Sequence, residues 1–134
     1  MTLIPRIERA TAEQVRELLE EAFNTLFPQP QSEDEPKWQG PGTLREPLYH
    51  HWYIKARRFT AMLDAEAWTS AAELLVPEGM LAMTVNCGME DRKAPDFSKA
   101  TAFVGEWNDA GGEPCEAATP ALALAAACLR AKGA

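Results

Sequence analysis

The sequence predicts an α+β fold: a layered helix/sheet sandwich in which three helices pack an antiparallel sheet of three or four strands. Three observations carry this. Apolar residues recur at helical spacing in residues 11–27, 60–76 and 119–131. They alternate with polar ones in residues 80–87, and aromatic or β-branched residues mark 49–56 and 101–107. The strands at 80–87 and 101–107 follow one another too directly for a βαβ crossover, so that pair is expected to be antiparallel.

Taken in order, Thr11 and Gln14 fit the S/T-x-x-E/Q capping box, in which two first-turn donors are satisfied reciprocally. Val15, Leu18, Leu19, Ala22 and Leu26 then form one helical face, and Pro28 ends it. Residues 28–47 are loop-like, rich in proline and glycine, with an acidic cluster at Glu33, Asp34 and Glu35. Trp38 within them is expected on a short edge strand or as a plug of the core. Residues 49–56 read as a strand. Residues 60–76 read as a second helix, with Leu63, Ala67, Ala71 and Leu74 in one row and Trp68, Ala72 and Leu75 in another. Pro77, Glu78 and Gly79 form a stop and turn. In the next strand Leu81, Met83, Val85 and Cys87 face one way, Thr84 and Asn86 the other. A polar stretch, 88–99, leads to the strand at 101–107, with Phe103 and Trp107 on one face, and residues 108–115 form a Gly-rich turn.

The last helix has its start written out. Thr119 is a good N-cap because its hydroxyl can accept from an unpaired first-turn N–H. Pro120 suits the first helical position, where no N–H is needed. Glu116 lies near the positive end of the dipole, Arg130 and Lys132 near the negative end, and Gly133 is a stop. Leu122, Ala125, Ala126 and Leu129 form a stripe that Leu124 and Cys128 widen. Its alanines suit close approach to a sheet, expected to be the surface holding Leu81, Val85 and Phe103.

The 134 residues are expected to form a single domain spanning 1–134, with 46% hydrophobic and 25% charged residues, ordinary for a globular protein. No apolar run reaches the roughly 18–20 residues that cross a bilayer, and the first residues lack the basic-then-apolar pattern of a signal peptide. A cytoplasmic protein without a membrane partner is expected. Cys87, Cys115 and Cys128 are an odd set with no CxxC spacing, which argues for small buried or idle thiols rather than disulfides or a zinc ribbon. The formal net charge is −7, which disfavours general phosphate binding.

Three segments resemble the phage ABA sandwich domain family. TPALALAAACLRA (119–131) is similar to that family's closing helix. FTAMLDA (59–65) with LVPEG (75–79) resembles its aromatic-Thr-x-x-Leu-Asp-Ala…Leu-Val-Pro-Glu-Gly helix. LIPRIERATAEQVRELLEEA (3–22) resembles its opening helix. The resemblance implies a sheet packed by helices, a phage or prophage origin and a bacterial-host cytoplasm. It implies no defined activity, cofactor or catalytic residue.

The residues themselves add one candidate site. The segment HHWYIKARR (50–58) interleaves rings and cations, the mixture with which nucleic-acid surfaces stack bases and hold phosphates. Trp52, Tyr53, Lys55, Arg57 and Arg58 are its candidate nucleic-acid-binding residues. The plainer reading is a strand with one buried and one solvated face. His50 and His51 point apart on a strand and so make a poor metal pair, and nothing local supports a Cys–His catalytic pair. The acidic runs at 33–35 and 90–91 read as solvated loops, or as an acidic face that occupies a host nucleic-acid site. The chain carries no P-loop, GxGxxG, GxSxG or HExxH, and Gly111-Gly112 is a turn signal. The expectation is therefore a non-enzymatic interaction module without cofactor or metal. Its partner would be a host or phage protein, with nucleic acid as the alternative.

Overall fold

The computed structural model describes residues 3–30, 48–89, 94–106 and 113–133. Trp38, the acidic runs at 33–35 and 90–91, Trp107 and Gly111-Gly112, for which the sequence raises expectations, lie outside them. What is described is an α+β fold: five α-helices and a three-stranded antiparallel sheet in the order β1-β2-β3.

The N-terminal region holds one helix more than expected. Helix α1 (Leu3–Arg9) buries Leu3, Ile4 and Ile7. After Ala10, a 3-10 turn (Ala12–Gln14) leads into α2 (Val15–Leu26), which buries Val15, Leu18, Leu19, Ala22 and Phe23. The Gln14 side chain accepts a hydrogen bond from the Thr11 backbone N–H at 3.1 Å, which holds the turn in place. Arg6 pairs with Glu21 at 2.8 Å and ties α1 to α2, though both side chains are about half exposed, so the pair adds at most about 1 kcal/mol.

The strand expected at residues 49–56 is instead the first half of a helix, α3 (Leu48–Asp64). Trp52, Ala56, Phe59 and Leu63 lie at i, i+4, i+7 and i+11, a helical stripe embedded in strand-favouring residue types. Packing decides between the two. The Phe59 ring stacks on Phe23 of α2 at 4.5 Å between centroids, and Phe59 and Leu63 are buried.

The single helix expected over 60–76 is also corrected, because α3 stops and α4 (Trp68–Glu73) begins anew. Between them Glu66 adopts φ 57°, its N–H donates to the Leu63 carbonyl and the Ala67 N–H to the Met62 carbonyl. This is the paired bonding of a Schellman stop, with glutamate where glycine is usual. Neither Gly nor Pro marks it in the sequence.

Strands β1 (Met80–Val85) and β2 (Ala100–Glu106) pair antiparallel, with Ala82 opposite Val104 and Met83 opposite Phe103. The third strand, β3 (Cys115–Ala117), starts at the last residue of the segment read as a turn and pairs with β2. Alternation was the right signal for β1, but the side expected to face the last helix is reversed. Ala100, Ala102 and Val104 are the buried residues of that face, whereas Leu81 is 52% and Met83 57% exposed.

Helix α5 (Pro120–Ala131) starts where expected: the Thr119 hydroxyl accepts from the Leu122 N–H at 3.2 Å, with Pro120 in the first turn. Its burial is wider than a stripe. Every residue from Ala121 to Leu129 is buried. The helix lies between the sheet on one side and α1, α2 and α4 on others. A helix apolar all round belongs in the interior, and its alanines let both layers close in. No helix of the described residues is long and apolar enough to cross a membrane.

Candidate interaction surfaces

Two surfaces present chemistry to solvent. The first is α3, which carries the residues of the candidate nucleic-acid segment. On a helix these residues diverge. Trp52 is half-buried and its Nε1–H donates to the Phe27 carbonyl at the end of α2, at 2.9 Å. The Lys55 ammonium lies 3.7 Å from the centre of the Phe27 ring, and burial lowers its pKa from the ordinary lysine value. Both side chains thus fasten α3 to α2. Arg57 leans over Tyr53, with its guanidinium 5.7 Å from the ring centre and Nη1 donating to the hydroxyl at 3.1 Å. Arg58 is exposed and, one residue on, points about 100° away from Arg57. The five residues therefore do not share one face. Trp52, Tyr53 and Arg57 do line one cavity of ≈ 550 Å³, together with Thr60 and Asp64, whose carboxylate pairs with Arg16 at 2.7 Å. His50 and His51, expected on opposite faces of a strand, are exposed neighbours on this helix.

The second surface is the face of the sheet turned away from α5. Directly opposite residues of an antiparallel pair share a face. Leu81, Met83 and Val85 therefore lie beside Gly105, Phe103 and Thr101, and Glu116 of β3 continues the row. One end is roofed by residues 86–89. The Thr101 hydroxyl donates to the Cys87 carbonyl at 2.7 Å, the Met89 N–H donates to Glu116 Oε1 at 2.6 Å, and Gly88 bridges to Asp96. A Cβ on Gly88 would meet Asp96 Cβ at 3.2 Å and Glu116 Oε1 at 3.3 Å, so this roof suits glycine. Beyond the roof the face is open and apolar. Phe97, in the turn before β2, is 79% exposed, and Met89 is also exposed. Sequence reasoning missed this surface, although a signal exists: residues 79–89 contain no Asp, Glu, Lys, Arg or His in a chain that is 25% charged.

The thiols are placed for packing. Cys115 and Cys128 are buried and Cys87 partly so, all three free. Burial, reinforced by neighbouring Cys115, pushes the Cys128 thiol up to about 12, and burial also raises Cys115. Thiols held protonated in this way are poor nucleophiles at neutral pH. Among the described residues no group of three or more His, Cys, Asp or Glu is placed to hold a metal ion.

Set against known proteins, the chain matches no family model, no curated protein and no solved structure.

Proposed function

We propose that this chain is a small non-enzymatic interaction protein of phage or prophage type, akin to the phage ABA sandwich proteins. In this reading it binds a host or phage protein in the cytoplasm of a bacterial host, through the outward face of the sheet. The observation that carries the reading is the pair of large apolar side chains left in water there, Leu81 and Met83, with Phe103 beside them. Contiguous exposed apolar surface rimmed by polar residues marks association sites. Site-specific photo-cross-linking in host cells tests it, with a benzophenone side chain at position 83 and, as a control, at exposed position 13. A discrete adduct with one other protein from position 83 alone is expected. No adduct at 83, or the same adducts from both positions, would overturn the reading.

A second reading rests on one observation, the exposed Tyr53–Arg57 pair at the mouth of the ≈ 550 Å³ cavity. A ring carrying a guanidinium could stack an unpaired base. Anisotropy of labelled single-stranded and duplex DNA over a salt series decides it. Binding at low salt that is lost in Tyr53→Ala and Arg57→Ala variants would support this alternative, and its absence would remove it.

A further inference from the structure

We infer that the joint between α3 and α4 is a domain-swapping hinge. It straightens so that α3 and α4 run on as one helix, and two copies of the chain exchange halves. Three observations lead there.

First, the joint is bent against its own sequence. The break falls on Ala65-Glu66-Ala67, three strong helix formers, and no residue from Leu48 to Glu73 is glycine or proline. Glu66 sits at φ 57°, in the left-handed region that a residue with a Cβ adopts only at a cost. Helix α4 then starts on Ala67 with no side-chain cap, where Ser, Thr, Asp or Asn is preferred. In a straight helix Glu66 returns to ordinary helical angles. The N–H groups of Trp68, Thr69 and Ser70 then donate to the carbonyls of Asp64, Ala65 and Glu66. Local preference and tertiary packing disagree at this one place.

Second, the joint divides the fold into two halves that each hold together. In the first, α2 and α3 are fastened by the Phe23–Phe59 stack, the Trp52–Phe27 hydrogen bond and the Arg16–Asp64 pair, and Arg6–Glu21 ties α1 to them. In the second, α4 and the sheet pack on α5. Between the halves, α1 and α2 pack on α5, α2 and α3 on α4, and Arg130 pairs with Glu8 at 3.6 Å. Once the joint opens, only another copy of this chain offers the identical complementary half. The exchanged dimer remakes every contact of the closed chain between two copies, so it requires no vacant surface.

Third, Asp64, Ala65 and Glu66 are all exposed, so none of the three is held in the bend by burial. A short joint under strain is the kind that invites exchange. The outward face of the sheet takes no part, so the inference stands independently of the partner proposed for it.

The test refolds the full chain from urea at about 10 µM to 1 mM and reads its mass by analytical ultracentrifugation. Wild type is compared with Glu66→Gly and with a chain carrying two glycines inserted after Glu66. A wild-type dimer that grows with concentration during refolding is expected. Glycine relieves the left-handed strain of the closed form and weakens the straight helix, at two joints per dimer. Glu66→Gly is therefore expected to lower the dimer association constant at least about a hundredfold, while the monomer's urea midpoint rises. The insertion relieves the joint by lengthening it and should suppress the dimer too, so it decides should Glu66→Gly fail to fold. A wild-type monomer throughout, or a dimer unchanged in both variants, would overturn the inference. Exchange is then read directly by co-refolding Glu8→Cys chains with Arg130→Cys chains in a Cys87→Ser background and adding a short bis-maleimide. A cross-linked 8–130 peptide pair in the dimer is expected. The same mixture of Arg6→Cys and Glu21→Cys chains, whose positions lie in one half, should give no 6–21 pair. A dimer that yields both pairs, or neither, refutes the exchange.

Discussion

The two faces of the β1–β2 pair differ in the opposite sense from most half-buried sheets. The inner face buries small side chains, Ala100 and Ala102 with Val104, against α5, while Ala82 and Thr84 at its β1 margin stay exposed. The outer face holds the bulkier set, Leu81, Met83, Val85 and Phe103, and leaves Leu81 and Met83 more than half exposed. What sets the inner face is distance rather than hydrophobicity. Alanines at 121, 123, 125, 126 and 127 keep the surface of α5 low, and the sheet residues buried on that face are Ala100, Ala102 and Val104. Large side chains on the outer face are then surplus to folding, which is why they carry a proposal about binding.

The contrast predicts unequal responses to the same kind of substitution. Leu129→Ala removes a fully buried leucine from α5, and such truncations cost about 2–5 kcal/mol. Leu81→Ala on the outer face removes the same atoms from a half-exposed site and should cost far less, about 0.5 kcal/mol. Urea denaturation followed by circular dichroism measures both. Equal losses would show that the outer face is in fact part of the core.

Ala102→Leu reverses the operation by adding bulk beneath α5, where Ala102 is 0% exposed. Overpacking a dense core costs about 1–3 kcal/mol, so the midpoint should fall. A neutral result would mean that the layer has room and that distance is not what selects alanine there.

Thr119→Ala probes the anchor that fixes where α5 begins over the sheet. Its hydroxyl accepts from the Leu122 N–H, and losing an N-cap of this type costs about 1 kcal/mol. Thr119→Ser should recover most of that loss. Equal destabilisation by serine and alanine would assign the residue's role to packing.

The cap at Thr119 was legible from sequence because it depends on neighbours in the chain, and so was the alternation that marks β1. The sidedness of β1 was not. Period two identifies a pleat but not which face meets the core, and the larger set looked like the inner one. The helix at residues 48–64 was misread for a related reason. Trp52, Tyr53 and Ile54 favour strands locally, while the stacking of Phe59 on Phe23 and the Trp52 bond to Phe27 reach across to α2. The stop at Glu66 uses a residue type that announces no stop. The candidate segment at 50–58 was identifiable by composition alone, but its geometry depended on helix rather than strand. That choice sent Lys55 toward Phe27 and laid Arg57 over Tyr53, four residues back.

The smallest expected effect on stability is the most discriminating for function. Met83 is 57% exposed and sits on the outer face opposite Phe103. Met83→Ser should change folding stability by no more than about 0.5 kcal/mol, the range for surface positions away from special features. The same substitution removes the apolar group that the outer face offers at the centre of β1. If that face binds a protein, the partner cross-linked from a benzophenone at exposed position 81 on the same face should be lost when Met83→Ser is added, while the purified Met83→Ser variant keeps its melting temperature. A face kept apolar for folding would behave the other way, with lower stability and unchanged binding. The two measurements on one variant therefore separate an interaction surface from a structural one.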